Sequence, residues 1–280
     1  MTALPPEQEL HLLRQQQEAL LRAIAHDLPA PLRHIQSFAP LLVEAVQTLA
    51  AAAPHAAEAA ADALECAQFM QQGAQRMGQM LQALAGLSRA ARMPLHLQAV
   101  DLVATCQALL PALQQQYPQA QFSLPAAPVW VQADAQALTQ VLQQLLANAC
   151  KFAAPTPRVQ LQAVADGAVW HCAVRDNGVG FESEQAAQLF QPFARLHRES
   201  QFAGLGCGLA LVQTLAVRHG AQARIAAQPG QGIQHCLHLG AVQRLWQPAD
   251  ATGAGDAAGG VVLAPALVQC KPGELPDRGQ

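Results

Sequence analysis

The chain of 280 residues is long enough for two domains, and its composition is 51% hydrophobic but only 12% charged. Much of the apolar content is alanine, and neither a run of about 18 large apolar residues nor a signal-peptide pattern occurs, so the sequence predicts a cytoplasmic protein without a membrane segment. The formal net charge of −3 argues against nucleic-acid binding, and seven scattered cysteines without a C-x-x-C pair argue against a zinc site or a disulfide framework.

Residues 1–93 are predicted to form a helical hairpin. Residues recur every seven positions in a mainly apolar row on each helix, which is the repeat of a coiled coil. The rows are Leu10, Gln17 and Ile24 in the first helix and Met70, Met77 and Leu84 in the second. Residues 50–63, which include Pro54, are the predicted turn region. Because one hairpin buries little surface, we expect two copies to form a dimeric four-helix bundle; a spacer without chemistry is the alternative.

Residues 94–245 are predicted to form an α/β sandwich with helices on one face of a sheet. The predicted strands cover residues 95–100, 121–124, 129–132, 159–164, 169–175, 223–227 and 233–239. The predicted helices cover residues 102–116, 135–151, 183–190 and 208–219. Residues 246–280 are rich in Gly, Ala, Pro and Asp, which is typical of a poorly ordered tail.

Two polar residues stand close together at the end of the predicted helix 135–151. Asn148 and Lys151 are three positions apart, so they project from the same side of the helix. An amide oxygen can complete the coordination of a magnesium ion already held by phosphates, and an ammonium group neutralises phosphate charge. A structural asparagine and a surface lysine are the alternative interpretation.

A carboxylate followed by glycines comes directly after the predicted strand 169–175. Asp176 precedes Gly178 and Gly180, so an acceptor lies beside backbone that can approach a ligand closely. An ionised carboxylate only accepts hydrogen bonds, and it can hold an exocyclic amine such as that of adenine. An ordinary glycine turn is the alternative.

A second glycine-rich turn opens the predicted helix 208–219. Gly204, Gly206 and Gly208 alternate with Leu205 and Cys207, so successive backbone N–H groups can face an anion at the N-terminus of the helix. The dinucleotide-binding fingerprint has a different glycine spacing and follows a strand directly. The turn therefore predicts a phosphate site of another kind.

These motifs occur in an order that resembles one family. Residues 148–152, 176–181, 189–196 and 204–209 resemble the ATP-binding domain of sensor histidine kinases, whose fold is shared with gyrase, Hsp90 and MutL. Upstream, residues 25–32 resemble the phosphoacceptor box of the same kinases. The resemblance covers roughly residues 10–242 and is greatest to the subgroup linked to phytochrome and PAS sensors. It implies a helical hairpin followed by an α/β sandwich of the histidine kinase, gyrase and Hsp90 type.

The resemblance also implies a role for each matching residue, with ATP and Mg²⁺ as the bound cofactors. Asp176 would accept from the adenine amine, Asn148 would bind magnesium and Lys151 would approach the phosphates. The residues that would shape the nucleotide pocket are Gly178, Gly180, Gly204, Gly206, Gly208 and Leu209. Phe190 and Phe193 would anchor a mobile lid over residues 182–203.

The implied reaction is autophosphorylation. His26 would take the γ-phosphoryl group of ATP, and Asp27 would accept a hydrogen bond from its other ring nitrogen. The group would then pass to an aspartate of a response-regulator receiver domain, as in two-component signalling. Only 25 residues precede His26, so we expect a sensor on a partner protein or on a missing part of the chain.

The sequence departs from the family pattern at several positions. Pro29 stands in the acceptor box where arginine is usual, Leu205 replaces a threonine and Gln144 replaces a frequent asparagine. Pro29 and Leu205 favour, as the alternative, a catalytically weak or inactive regulator that binds nucleotide and receiver domains. An ATPase of the gyrase or Hsp90 kind is disfavoured, because such enzymes take a catalytic acid from the helix on which Gln144 stands.

Overall fold

The computed structural model describes residue 24 and residues 28–52, 57–153, 155–166, 169–197, 201–227 and 232–240. The chain divides into two compact units, Met1–Arg92 and Met93–Gln280. His26, Asp27 and the tail over residues 246–280 lie outside the described residues, so what the sequence predicts for them stays a prediction.

Two long helices, α1 (Pro29–Ala52) and α2 (Ala57–Arg92), make up the described part of the first unit. The turn predicted over residues 50–63 is too long at both ends. Residues 50–52 belong to α1 and residues 57–63 belong to α2, as expected for alanine-rich sequence. α1 begins at Pro29, the first helical position, where the missing N–H of proline removes no intrahelical hydrogen bond. The departure from the family pattern at Pro29 is therefore compatible with a regular α1.

Small residues form the contact between α1 and α2. Leu32 and Ala39 of α1 are buried, as are Ala67 and Ala74 of α2, and the two members of each pair are seven positions apart. The close approach lets Gln36 Nε2 donate a hydrogen bond to the Ala74 carbonyl oxygen at 3.1 Å. The hairpin is thus held by an alanine-rich row rather than by the methionine row that the sequence analysis singled out.

Large apolar side chains cover the outside of this hairpin. Met70 is 55% exposed and Met77 is 48% exposed, so the methionine row faces away from α1. Other exposed apolar residues of the two helices are Ile35, Phe38, Leu41, Leu42, Leu49 and Phe69. A hairpin with this much apolar surface outside and alanines inside has an unpartnered face.

By length and composition, the segment Leu32–Ala52 of α1 could cross a membrane, and 6% of it is buried within the structure. Arg33 and Glu44 lie within the segment, and its apolar residues are interrupted by polar ones. The segment therefore has a high mean hydropathy although it contains no long uninterrupted run of large apolar residues.

The described residues of the second unit form two sheets. β1 (Gln98–Asp101) pairs antiparallel with β3 (Trp130–Ala133). The remaining strands are β2 (Gln121–Ser123), β4 (Arg158–Asp166), β5 (Val169–Arg175), β6 (Gln222–Ala227) and β7 (Ile233–Gly240). They form one sheet in the order β2-β4-β5-β7-β6, in which β2 and β4 are parallel and the other neighbours antiparallel. Each strand predicted from the sequence overlaps one of these strands.

The helices that accompany the sheets in the described part of this unit include α3 (Leu102–Gln116), α4 (Ala135–Lys151) and α5 (Gly208–Arg218). The predicted helix over residues 183–190 is a 3₁₀ helix, Ser183–Phe190. Asp101 and Asp134 start α3 and α4 because each carboxylate accepts a hydrogen bond from a backbone N–H of the first turn. The core includes Leu102, Val131, Leu142, Leu145, Leu146, Val174, Val212 and Leu215, all almost fully buried.

Candidate functional site

A cavity of about 280 Å³ opens in the second unit beside the C-terminal half of α4. The glycine-rich turn at residues 204–208 forms another wall, and parts of the segment 189–202 form a third. One end of the cavity is apolar, with Phe181, Leu189, Leu196, Ile225 and Ile233 in its lining. The polar and cationic side chains of the lining are Gln144, Asn148, Lys151, Arg195 and His197, so the cavity suits a ligand with a flat apolar part and an anionic part.

Helix α4 delivers three polar side chains to the cavity. Its leucines face the core, which turns Gln144, Asn148 and Lys151 toward the opposite side, and all three line the cavity. Lys151 Nζ lies 4.6 Å from the centre of the Phe152 ring. Burial, and after it the nearby Arg195 guanidinium, lowers the pKa of Lys151.

The glycine-rich turn has backbone conformations that other residues adopt only with strain. Gly204 has φ 126° and Gly206 has φ 76°, in the left-handed region. A Cβ atom on Gly206 would lie 2.5 Å from the Ala194 carbonyl oxygen, and one on Gly208 would lie 2.5 Å from Gln144 Oε1. The turn therefore packs against both α4 and the residues before it, and α5 points its N-terminus at the cavity.

Asp176 has one satisfied and one unsatisfied oxygen. Oδ1 accepts from Gly178 N at 2.8 Å and from Ile233 N at 3.0 Å. Oδ2 is buried and has no hydrogen-bond partner among the described residues. Burial raises the pKa of Asp176 to about 6, although the two backbone N–H groups act in the opposite direction. A buried acceptor without a donor is costly, which makes Oδ2 a position for a ligand donor.

Arg195 ties the segment before the glycine-rich turn to the turn itself. Its guanidinium donates to the carbonyl oxygen of Phe202 at 2.6 Å and to that of Gly204. Phe193, two positions earlier, has a positive φ of 66°, which is strained for a residue with a side chain. Arg195 thus fixes the backbone of Phe202 and Gly204 beside the cavity.

An aromatic cluster closes one side of the cavity. The ring of Phe202 lies 4.9 Å from that of Phe152 and 5.2 Å from that of His197, measured between centroids. These separations and tilted planes are those of favourable aromatic pairs. The cluster therefore joins His197 and Phe202 to Phe152, which follows α4.

Of the residues that the sequence analysis assigned to cofactor binding, about half line the cavity. Those that do are Asn148, Lys151, Gly204, Gly206, Gly208 and Leu209. Those that stand outside its lining are Asp176, Gly178, Gly180, Phe190 and Phe193. Asp176 is nonetheless close to the cavity. Its Oδ1 accepts a hydrogen bond from the backbone N–H of Ile233, and Ile233 lines the cavity.

Sequence reasoning gave no role to several lining residues. Arg195 lies within residues 189–196, one of the segments that resemble the family. A cation close to a predicted phosphate turn was the signal that could have identified it. His197 and Phe202 gave no such signal, because they reach Phe152 only through the path of the folded chain.

The cavity fits a magnesium ion only in one way. Among its described lining residues there is no carboxylate, and the oxygen-bearing side chains are those of Gln144 and Asn148. Magnesium prefers several oxygen ligands, including carboxylates or phosphates. The residues therefore suit an ion that arrives with phosphate oxygens and takes one further ligand from Asn148.

Comparisons with known proteins point to one family. Residues 133–243 match the family of histidine kinase-, DNA gyrase B-, and HSP90-like ATPases. Phytochrome-like protein Cph1 of Synechocystis sp. is 35% identical over 111 residues, which are 39% of this chain and 14% of Cph1. Sensor histidine kinase ZraS of Escherichia coli is 29% identical over 226 residues, which are 79% of this chain and 44% of ZraS.

A solved structure has the same fold. Full-length ShkA in complex with AMPPNP superposes with a TM-score of 0.56 and 20% identity, over 80% of this chain and 46% of ShkA. The chain spans less than half the length of each of these relatives. The match to ZraS is longer than the second unit of this chain, so it extends into the helical unit as well. The chain is therefore similar to sensor histidine kinases, and residues 133–243 match the family of histidine kinase-, DNA gyrase B-, and HSP90-like ATPases.

Proposed function

We propose that the chain is the kinase core of a two-component system, which phosphorylates His26 from ATP and magnesium and passes the phosphoryl group to a receiver aspartate. The observation that carries the proposal is the cavity with Asn148, Lys151 and the glycine-rich turn in one lining. The alternative is a regulator that binds nucleotide without transferring phosphate.

The phosphates of ATP are assigned to the cationic end of the cavity. Lys151 and Arg195 lie close enough for the guanidinium to lower the pKa of the ammonium group. Two neighbouring cations beside a helix N-terminus favour the binding of a polyanion. Phosphate oxygens that pair with both cations reduce the repulsion between them. Phosphoryl transfer depends mainly on such positioning and charge neutralisation.

The adenine ring is assigned to the apolar end. Phe181 and Ile233 belong to a buried cluster there, and both line the cavity. The unpartnered Asp176 Oδ2 would accept a hydrogen bond from the adenine amine, and Asn148 would complete the ligands of a phosphate-bound magnesium. Gly178 and Gly180 would allow the backbone after Asp176 to pass close to the base.

The reaction assigned to His26 is a displacement at phosphorus. An unprotonated ring nitrogen of His26 attacks the γ-phosphorus, the bond from that phosphorus to the bridging oxygen breaks, and ADP leaves with the electron pair. Asp27 would accept the hydrogen bond of the other ring nitrogen and so fix the ring. The phosphohistidine then donates its phosphoryl group to an aspartate of a receiver domain.

Incubation of the purified chain with labelled ATP and magnesium tests this proposal. We expect label that is released by acid, survives base and is absent in His26→Gln. His34→Gln is the matched control, because His34 is an exposed histidine on α1 and should leave labelling unchanged. Nucleotide binding without label would favour the regulator, and failure to bind nucleotide would contradict both.

We also infer that two copies pair through the hairpin. The exposed faces of α1 and α2 carry Phe38 and Leu41 on one helix and Phe69, Met70 and Met77 on the other. A second copy of the same hairpin would cover them in a four-helix bundle, which also accounts for the apolar segment Leu32–Ala52 without a membrane. A cytoplasmic location and a sensor supplied by another chain or segment belong to the same proposal.

Phe38→Glu should weaken dimerisation by at least about 100-fold, because each of two symmetry-related charges would be buried without a partner. The dissociation constant would be measured by sedimentation equilibrium. Val217→Glu adds the same charge at an exposed apolar position of the ATPase domain and should have no effect. Equal dissociation constants for the two variants would contradict the assignment of this face.

A further inference from the structure

Helices α4 and α5 contact each other near both of their ends. Gly208, the first residue of α5, lies beside Gln144 and near Asn148 of α4. At the other end, His219, which follows α5, lies beside Asp134, which precedes α4. The two helices are therefore antiparallel neighbours, and the second contact is about 16 Å along α5 from the first.

The hydrogen bonds of His219 fix its tautomer. Its Nδ1 lies 2.7 Å from the Leu215 carbonyl oxygen, and its Nε2 lies 3.1 Å from the backbone nitrogen of Asp134. A carbonyl oxygen only accepts and a backbone N–H only donates. Nδ1 must therefore carry the hydrogen and donate, while Nε2 must be bare and accept, so the ring is the neutral Nδ1–H tautomer.

Asp134 needs this acceptor. Asp134 is only 6% exposed, so without His219 its backbone N–H would be buried without a partner. Its carboxylate is already engaged, because it accepts from Ala137 N and from His96 N, each at 2.9 Å. The imidazole of His219 thus completes the hydrogen bonding of the residue that caps α4, and it does so from the end of α5.

We propose that His219 is a positioning residue of the nucleotide site, which holds α5 in register with α4 and thereby holds the glycine-rich turn against Asn148. The inference rests on the proposed nucleotide-binding function of that site. His219 does not line the cavity, so it acts only through α5. Buried Val212 and Leu215 pack α5 into the core, and the bond from Asp134 adds a directional contact that resists rotation of α5 and so displacement of the turn that binds the phosphates.

Nitrogen-15 NMR of the full chain labelled at histidine tests the tautomer directly. We expect a set of signals for a protonated Nδ1 and a bare Nε2 at neutral pH that vanishes in His219→Gln. Histidines exposed to water mostly carry the hydrogen on Nε2, so this pattern stands apart from them. An Nε2–H tautomer at His219, or signals averaged between tautomers, would overturn the inference whether or not the chain binds nucleotide.

Two matched variants test the positional role. The glutamine amide in His219→Gln reaches the place of Nε2 and can accept from Asp134, whereas the shorter asparagine in His219→Asn can replace only Nδ1. We expect the Kd for ADP, measured by calorimetry on the full chain, to rise about 10-fold in His219→Asn and to stay within about threefold of the original in His219→Gln.

The outcomes separate the two proposals. Equal Kd values for the asparagine and glutamine variants, with both folded by circular dichroism, would overturn the positional role of His219. Failure of the unaltered chain to bind ADP would instead overturn the proposed function, while the tautomer measured by NMR would still stand or fall by itself.

Discussion

Asp176→Asn is expected to weaken the binding of ADP by on the order of 100-fold while the ATPase domain stays folded. The amide oxygen of asparagine can take over the bonds that Oδ1 accepts from Gly178 N and Ile233 N. The amide nitrogen then occupies the place of Oδ2 and presents hydrogens where the ligand amine also presents hydrogens. Two donors that face each other in a buried site lose a hydrogen bond and leave both groups unsatisfied.

Calorimetric titration with ADP measures this effect, and thermal unfolding of the free protein reports whether the domain is intact. Asp166→Asn is the matched control, because it makes the same change in charge at a side chain that is 82% exposed on β4. Unchanged affinity in Asp176→Asn would show that the base does not reach Oδ2, and the assignment of the adenine end would then be wrong.

The secondary structure of the second unit was predictable because its signals are local. The predicted bounds of α3, α4 and β5 coincide with the observed ones, since each helix follows a strand and an aspartate cap, and β5 is a compact apolar run. The first unit was less predictable. The heptad rows of Met70 and Ala74 are both present in the sequence, and only the packing of α1 on α2 decides which one the hairpin buries.

The candidate site was predictable where a motif needs an unusual backbone. Gly204 and Gly206 stood out because few other residues adopt their conformations, and the structure gives both a positive φ. The bridge from His219 to Asp134 joins positions 85 residues apart, so no local pattern marks it. Phe202 was missed for the same reason, because its contact with Phe152 is made only by the folded chain.

The buried carboxyl group of Asp176 should also make the stability of the nucleotide-free protein depend on pH. Burial raises its pKa to about 6, against roughly 3.9 in an unfolded chain, so the folded state binds the proton more tightly than the unfolded state. A proton bound preferentially by the folded state stabilises it. This contribution is fully present below about pH 4 and is lost as the pH rises through about 6, and the shift corresponds to roughly 3 kcal/mol.

The free energy of unfolding of the nucleotide-free chain should therefore fall between pH 4 and pH 7 relative to that of Asp176→Asn, which has no carboxyl proton to lose at this position. Urea unfolding of the two proteins across this range measures the difference, and comparing them cancels the titration of the other acids. A difference independent of pH would mean that Oδ2 already has a partner in the free protein. ADP should reduce this fall in the free energy of unfolding, because its amine supplies the missing donor to the ionised carboxylate. The same buried oxygen then links stability, pH and nucleotide binding.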